Sequence, residues 1–187
     1  MMNHRHPQIL NRRQTALLIV DVQTKINAVM FQGPTVVQNA VKLIKAAKIV
    51  HVPILITEQY PQGLGATEPE IAEALEAITP TQKMTFSCCG SKEFLDDVQN
   101  REIMQVVVTG IETHVCVQQT VLDLLAHGFQ VHVPKDVVSS RKELDHETAL
   151  NRMGNSGAVL TSLESVLFEL LEKAGTPEFK EVTKLIK

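Results

Sequence analysis

Apolar residues along the chain fall into short continuous runs, separated by stretches with helical spacing. TALLIVDV at residues 15–22 is the first run, interrupted near its end by Asp21. Its lack of alternation suits a strand buried on both faces. Over residues 35–48, Val36, Val37, Ala40, Val41, Leu43, Ile44 and Ala47 recur at the three-and-four spacing of an amphipathic helix. HVPILITE at 51–58 repeats the strand pattern, with Pro53 near its start, where a missing N–H is tolerated. The turn-rich YPQGLGATEP leads to a short helix with Pro69 at its first position, running to about residue 78. TPTQKMTFSCCG reads as extended and irregular, SKEFLDDVQN as a helix capped by Ser91, and MQVVVTG as the most continuous strand. Glu112 or Thr113 opens the next helix, which Gly128 closes in the usual left-handed position. FQVHVPKD, a helix over 144–153, the short strand GAVLTS and a helix over 163–173 complete the pattern.

Six strands alternating with helices through short loops predict a parallel sheet covered on both faces by right-handed crossovers, in one three-layer α/β domain. Residues 1–14 form an N-terminal arm, expected to be disordered, and residues 15–187 form the single domain with a C-terminal helical tail. That tail, TPEFKEVTKLIK, either wraps its own domain or reaches a neighbour, and Val182, Leu185 and Ile186 are its apolar positions.

Composition narrows the function classes. The 187 residues are 44% hydrophobic and 21% charged, and no apolar run approaches the ~18 residues of a membrane span. A net charge of −3, with no Lys/Arg stripe, gives no footprint for nucleic acid and favours a small-molecule substrate. Three cysteines are an odd number, and the adjacent Cys88 and Cys89 match no zinc or redox spacing, which suits a reducing, cytoplasmic setting. The basic opening MMNHRHPQILNRRQ lacks the apolar core of a secretory signal.

In open parallel sheets ligands bind beyond the carboxyl ends of the strands, where Asp21, Lys83 and Cys116 stand in or near the loops. Each has a plainer reading: Asp21 as a helix cap, Lys83 as a surface lysine, Cys116 as a packing residue. Asp21 inside LLIVDV, however, needs a cationic or donor partner, because an unpaired buried carboxylate costs several kcal/mol. Cys116 lies three residues beyond Thr113, in the first turn of a helix whose dipole favours a thiolate. Lowering a thiol from about 8.5 to about 6.5 takes roughly 2.7 kcal/mol, while a helix terminus commonly supplies ~0.3–1, so an activated thiolate needs an ammonium close by. Cys88 and Cys89 read as structural. Of the seven histidines, His4, His6, His51, His114, His127, His132 and His146, only His114 stands beside this site, and no H-E-x-x-H or D-x-H pair occurs. A nucleotide-binding module has no phosphate loop to support it, and no G-x-S-x-G elbow is present.

ALLIVDVQ, QKMTFS and VVVTGIETHVCVQQTVLDLLAHGFQVHVPKDVVSSR resemble the isochorismatase-like (cysteine hydrolase) superfamily, and most of all its isochorismatase domain-containing branch. The resemblance implies a Rossmann-like three-layer α/β/α sandwich with a six-stranded parallel sheet of order 3-2-1-4-5-6. It also implies an Asp–Lys–Cys triad, carried over to Asp21 of the D-x-Q motif, Lys83 of K-x-x-x-S and Cys116 of G-x-x-T-x-x-C-V. A cis peptide is expected between Ile111 and Glu112, with the backbone N–H groups of Glu112 and Cys116 as oxyanion donors. Gln23, Glu112 and His114 are the expected pocket residues. The D-x-H metal ligands of nicotinamidases have no counterpart in TEQYPQGLG, so neither metal nor cofactor is expected, and Cys116 argues against isochorismate itself. The expected activity is cysteine-dependent hydrolysis of a C–N bond in a small amide, ureido or carbamoyl compound by a homo-oligomer. The competing reading is a non-enzymatic or redox-sensing oligomeric protein of the same fold.

Overall fold

The computed structural model describes residues 5–100 and 102–186, Asn100 through its backbone alone. Among these residues the strands are β1 Thr15–Val20, β2 Ile54–Gln59, β3 Thr81–Lys83, β4 Gln105–Ile111, β5 Gln130–Pro134, β6 Val138–Ser139 and β7 Val159–Thr161. All pair in parallel, in the order β3-β2-β1-β4-β5-β7, with β6 bonded to β4 off that path. The helices are α1 Thr24–Asn27, α2 Gly33–Ile49, α3 Pro61–Leu64, α4 Pro69–Leu75, α5 Lys92–Asn100, α6 Gln118–Ala126, α7 Glu143–Asn155, α8 Leu163–Leu171 and α9 Pro177–Val182.

Strand alternation divides the core into two layers. Leu17 and Ile19 of β1 and Val107 and Ile111 of β4 pack with α2, α8 and α9 on one face. Ala16, Leu18, Val20, Val106 and Val108 pack with α5, α6 and α7 on the other. In α8 the buried positions are Leu163, Val166, Leu167, Leu170 and Leu171, a one-sided stripe that, at ~1.5–3 kcal/mol for each fully buried aliphatic side chain, holds the helix to the sheet. The three-layer parallel fold is thus the one expected, with β7 in the place of the sixth strand.

Two expectations need correction, and the two courses open to the tail reduce to one. The sheet has a seventh strand: after Pro134 the chain makes a short 3-10 turn at Lys135–Val137, and Val138 and Ser139 then pair with Gly110 and Ile111. The N-terminal arm is docked from Arg5 onward. Leu10 is wholly buried, its N–H donates to Glu169 Oε2 at 2.9 Å, and Arg5 donates to the Leu10 and Glu169 carbonyls. Residues 1–4, including His4, lie outside the described residues. The tail packs on its own chain: Val182 is 1% exposed in the α2 and α8 core, and Leu185 and Ile186 pack against the same cluster. Val182 is thus closed to a neighbour, while Leu185 and Ile186 keep part of their surface exposed.

Candidate active site

The carboxyl ends of β1, β2, β3 and β4 meet at one edge of the sheet, and Asp21, Lys83 and Cys116 come together there. Asp21 directly follows β1 with φ 52°, and its N–H donates to the Thr57 carbonyl at 3.2 Å. Lys83 is the last residue of β3, in register with Gln59 of β2, rather than part of an irregular segment. Two strand spacings, roughly 10 Å, separate β3 from β1. The long lysine stem closes that gap over β2 and places Nζ 2.7 Å from Asp21 Oδ2, with the lysine side chain at 0% exposure.

Burying such a pair costs several kcal/mol per ion unless the remaining donors and acceptors are satisfied. Here they are. Lys83 Nζ also donates to Gln59 Oε1 at 2.8 Å, the Phe86 carbonyl at 3.0 Å and the Thr85 carbonyl at 3.2 Å. Asp21 Oδ1 accepts the Thr57 hydroxyl at 2.7 Å.

Cys116 sits in a π-helical turn, Thr113–Val117, that precedes α6, in place of the regular first α-turn expected. The Glu112 carbonyl accepts the N–H groups of Val115 at 3.0 Å and Val117 at 3.2 Å, and the second of these widens the turn. The Thr113 hydroxyl does not cap the helix; it pairs with His146 Nδ1 at 2.9 Å. A cis peptide joins Ile111 to Glu112. Gly110 precedes it at φ 110°, and a Cβ there would stand 2.0 Å from the Val20 carbonyl oxygen, so only glycine lets β4 pass the end of β1.

The thiol of Cys116 is 7% exposed. Burial is the largest influence on it and raises its pKa above the ordinary thiol range; the Asp21 carboxylate raises it further, both by charge and by their hydrogen bond, and Lys83 opposes only in part. The ammonium that an activated thiolate would need is therefore close by, but desolvation and the adjacent anion outweigh it and the helix end, and the balance of influences favours the thiol form.

Two of the expected pocket residues stand around this turn. Glu112 Oε2 accepts from the Arg141 backbone N–H at 3.2 Å and Nε at 3.0 Å. His114 Nδ1 pairs with Ser140 Oγ at 2.9 Å. Gln23 has a different place. It is wholly buried, its Nε2 donates to the carbonyls of Gln59 at 3.0 Å and Gly65 at 2.6 Å, and its Oε1 accepts the Gln59 N–H at 2.8 Å. Gln23 ties the loop after β1 to the end of β2 and offers no polar atom to a ligand.

Thr57, Gln59 and Cys88 were not among the expected site residues. Cys88, expected to be structural, is wholly buried with Sγ 3.6 Å from Thr57 Oγ1, and its N–H donates to Thr120 Oγ1 at 2.9 Å. Burial, then the Asp21 charge, push its thiol up to about 11. Burial also pushes Cys89 up to about 12, with the neighbouring Cys88 second. For Thr57 and Gln59 a signal existed: T-E-Q puts three polar residues in succession at the carboxyl end of an otherwise buried strand. The middle residue, Glu58, is spent on Thr67, whose N–H and hydroxyl it accepts at 2.8 and 2.7 Å. Among the described residues, no group of three or more His, Cys, Asp and Glu side chains is placed to hold a metal ion.

A doubly wound parallel sheet with a buried carboxylate, ammonium and thiol at its carboxyl edge defines a Rossmann-like α/β protein. The isochorismatase domain model matches residues 15–165, and the chain belongs to the isochorismatase family. It is 41% identical over 180 residues to isochorismatase domain-containing protein 2 of Danio rerio, covering 95% of this chain and 89% of that one. Identity is also 41% to the secreted isochorismatase effector Isc1 of Phytophthora sojae, over 92% of this chain and 84% of the relative. The solved structure of MAR1 ribonuclease from Caenorhabditis elegans superposes with a TM-score of 0.90 at 40% identity, covering 95% of this chain and 91% of that one. Among the described residues no helix is long and apolar enough to cross a membrane.

Proposed function

We propose that the protein is a cysteine-dependent hydrolase that cleaves the C–N bond of a small amide, ureido or carbamoyl compound through a thioester, with Asp21, Lys83 and Cys116 as its catalytic residues. The observation that carries this reading is the buried Lys83–Asp21 pair, 2.7 Å apart, whose two charges both act on the Cys116 thiol. An ion pair so deeply buried is weak support for stability, which makes chemistry the better account of why it is there.

The cycle follows from the proton positions. As Cys116 Sγ attacks the carbonyl carbon, Asp21 takes the thiol proton, while Lys83 keeps the carboxylate in place. The oxyanion is stabilised by the backbone N–H groups of Glu112 and Cys116. Collapse expels the amine, which receives its proton from Asp21, and leaves an acyl thioester on Cys116. Water then adds to the thioester as Asp21 removes its proton. The acid product leaves, and the proton returns to sulfur.

Three further readings accompany it. Val29, Phe31 and Leu144 are exposed apolar residues that suit contact between copies of the chain in a homo-oligomer. All three cysteines are free, which fits a reducing, cytoplasmic setting. A net charge of −3 gives little attraction for a phosphate backbone, which favours a small substrate over RNA.

The test is release of ammonia or amine from a panel of small amides, ureas and carbamoyl compounds, with RNA included as a competing substrate. Turnover that Cys116→Ala abolishes without lowering the melting temperature supports the reading. Turnover retained in Cys116→Ala, or RNA cleavage alone, overturns it.

A further inference from the structure

Thr57 lies in the middle of the site and reaches no solvent. It stands on β2 opposite Val20 of β1, so its side chain meets the carboxylate that follows that strand. A hydroxyl has one proton to give. Asp21, paired with Lys83, is a carboxylate and can only accept, so the Thr57 proton goes to Oδ1, 2.7 Å away. The second contact of Thr57 Oγ1, with Cys88 Sγ at 3.6 Å, must then run the other way, with the S–H donating to oxygen. Cys88 is itself fixed by its backbone bond to Thr120. The bonds form a chain of one direction: Cys88 S–H to Thr57, Thr57 O–H to Asp21.

We propose that Thr57 is a positioning residue for the base, holding Asp21 as a carboxylate through Oδ1 while Lys83 holds Oδ2, so that the Cys116 proton is the one free to move. This rests on the reading of Asp21 as the base. A fully buried strand position would take valine more readily, since an unpaired hydroxyl is unfavourable there. The bond to Asp21 accounts for the threonine. Hydrogen bonds donated to a carboxylate favour its charged form, and losing one makes the group take up a proton more readily. The titratable groups facing Asp21 are Lys83 from β3, Cys88 from the turn Cys88–Gly90, and Cys116 from the π turn.

The test needs no substrate. Carbamidomethylation of Cys116 by iodoacetamide is followed across pH on the full chain, by mass spectrometry of the peptide that contains it. In Asp21→Asn the acidic limb set by the carboxylate should disappear, leaving only the limb of the thiol itself. In Thr57→Val the acidic limb should move to higher pH by about one unit with its plateau nearly unchanged, and Thr57→Ser should restore the original limb. A Thr57→Val profile that coincides with the unaltered protein, while Asp21→Asn loses the limb, overturns this inference alone. An Asp21→Asn profile that keeps the limb of the unaltered protein overturns it together with the reading it rests on. If Thr57→Val does not fold, Thr57→Ala takes its place. If neither folds while Thr57→Ser does, the hydroxyl is structural and the proposal fails.

Discussion

At Cys116, desolvation and the neighbouring carboxylate act in the same direction, and the ammonium of Lys83 offsets them only in part. On the proposed mechanism the proton is lost during attack, not before it, and reactivity depends on Asp21 being ready to receive it. Absorbance near 240 nm, compared between the unaltered protein and Cys116→Ser, should show no thiolate step for Cys116 below about pH 8. A step near pH 6.5 would mean that the ammonium and the helix end dominate after all. The ion pair makes a second prediction. Lys83→Met removes the cation and leaves the Asp21 carboxylate buried without it, which should lower unfolding stability by about 3–5 kcal/mol in urea. Adding Asp21→Asn removes the uncompensated charge, so the double variant should recover most of that loss. Equal losses in the single and double variants would show that packing, not charge, is responsible.

At the scale of elements, the site depends on how closely strand ends approach. Gly110 is the tightest point, with φ 110° and room for no Cβ against Val20. Gly110→Ala should destabilise the fold by more than about 4 kcal/mol, whereas Gly128→Ala, at φ 86° with nothing within 4 Å, should cost about 1–2. Urea unfolding of the two variants compares them directly. The long buried strands and the amphipathic α2 were legible because hydrophobic runs and helical spacing follow directly from burial on two faces or one. Asp21 was legible for a related reason, as a charge inside an apolar run that had to find a partner. The two-residue β6 was not, since Val138 and Ser139 pair only because β4 outruns β5 at its carboxyl end. Nor was the π turn, which one extra residue between Glu112 and Val117 creates without any change of composition. Cys88 came to the site through the folding of residues 84–91 around Lys83, a tertiary fact with no local signature. Gln23 has the opposite history: beside Asp21 in sequence, its amide is turned to Gln59 and Gly65.

Across the whole molecule, the arm and the tail close the α2 and α8 layer, and the sheet interior beneath holds a buried histidine. His132 of β5 pairs in register with Val107 on one side and Val159 on the other; it is wholly buried, and neither ring nitrogen has a hydrogen-bond partner among the described residues. Burial lowers its pKa from 6.5 to about 4, and burial also lowers that of His146. The sign follows from linkage: between those two values the unfolded chain binds the His132 proton and the folded chain does not. Stability is therefore complete above pH 6.5, declines as the pH falls toward 4, and loses nothing more from this group below that. A shift of this size corresponds to about 3 kcal/mol, a large share of the ~5–15 kcal/mol that holds a typical domain folded. Urea unfolding at pH 7, 5.5 and 4.5 should show this decline, and His132→Leu should flatten it over the same window. If His132→Leu declines as steeply as the unaltered protein, the acid sensitivity arises from other groups, the buried His146 among them, instead.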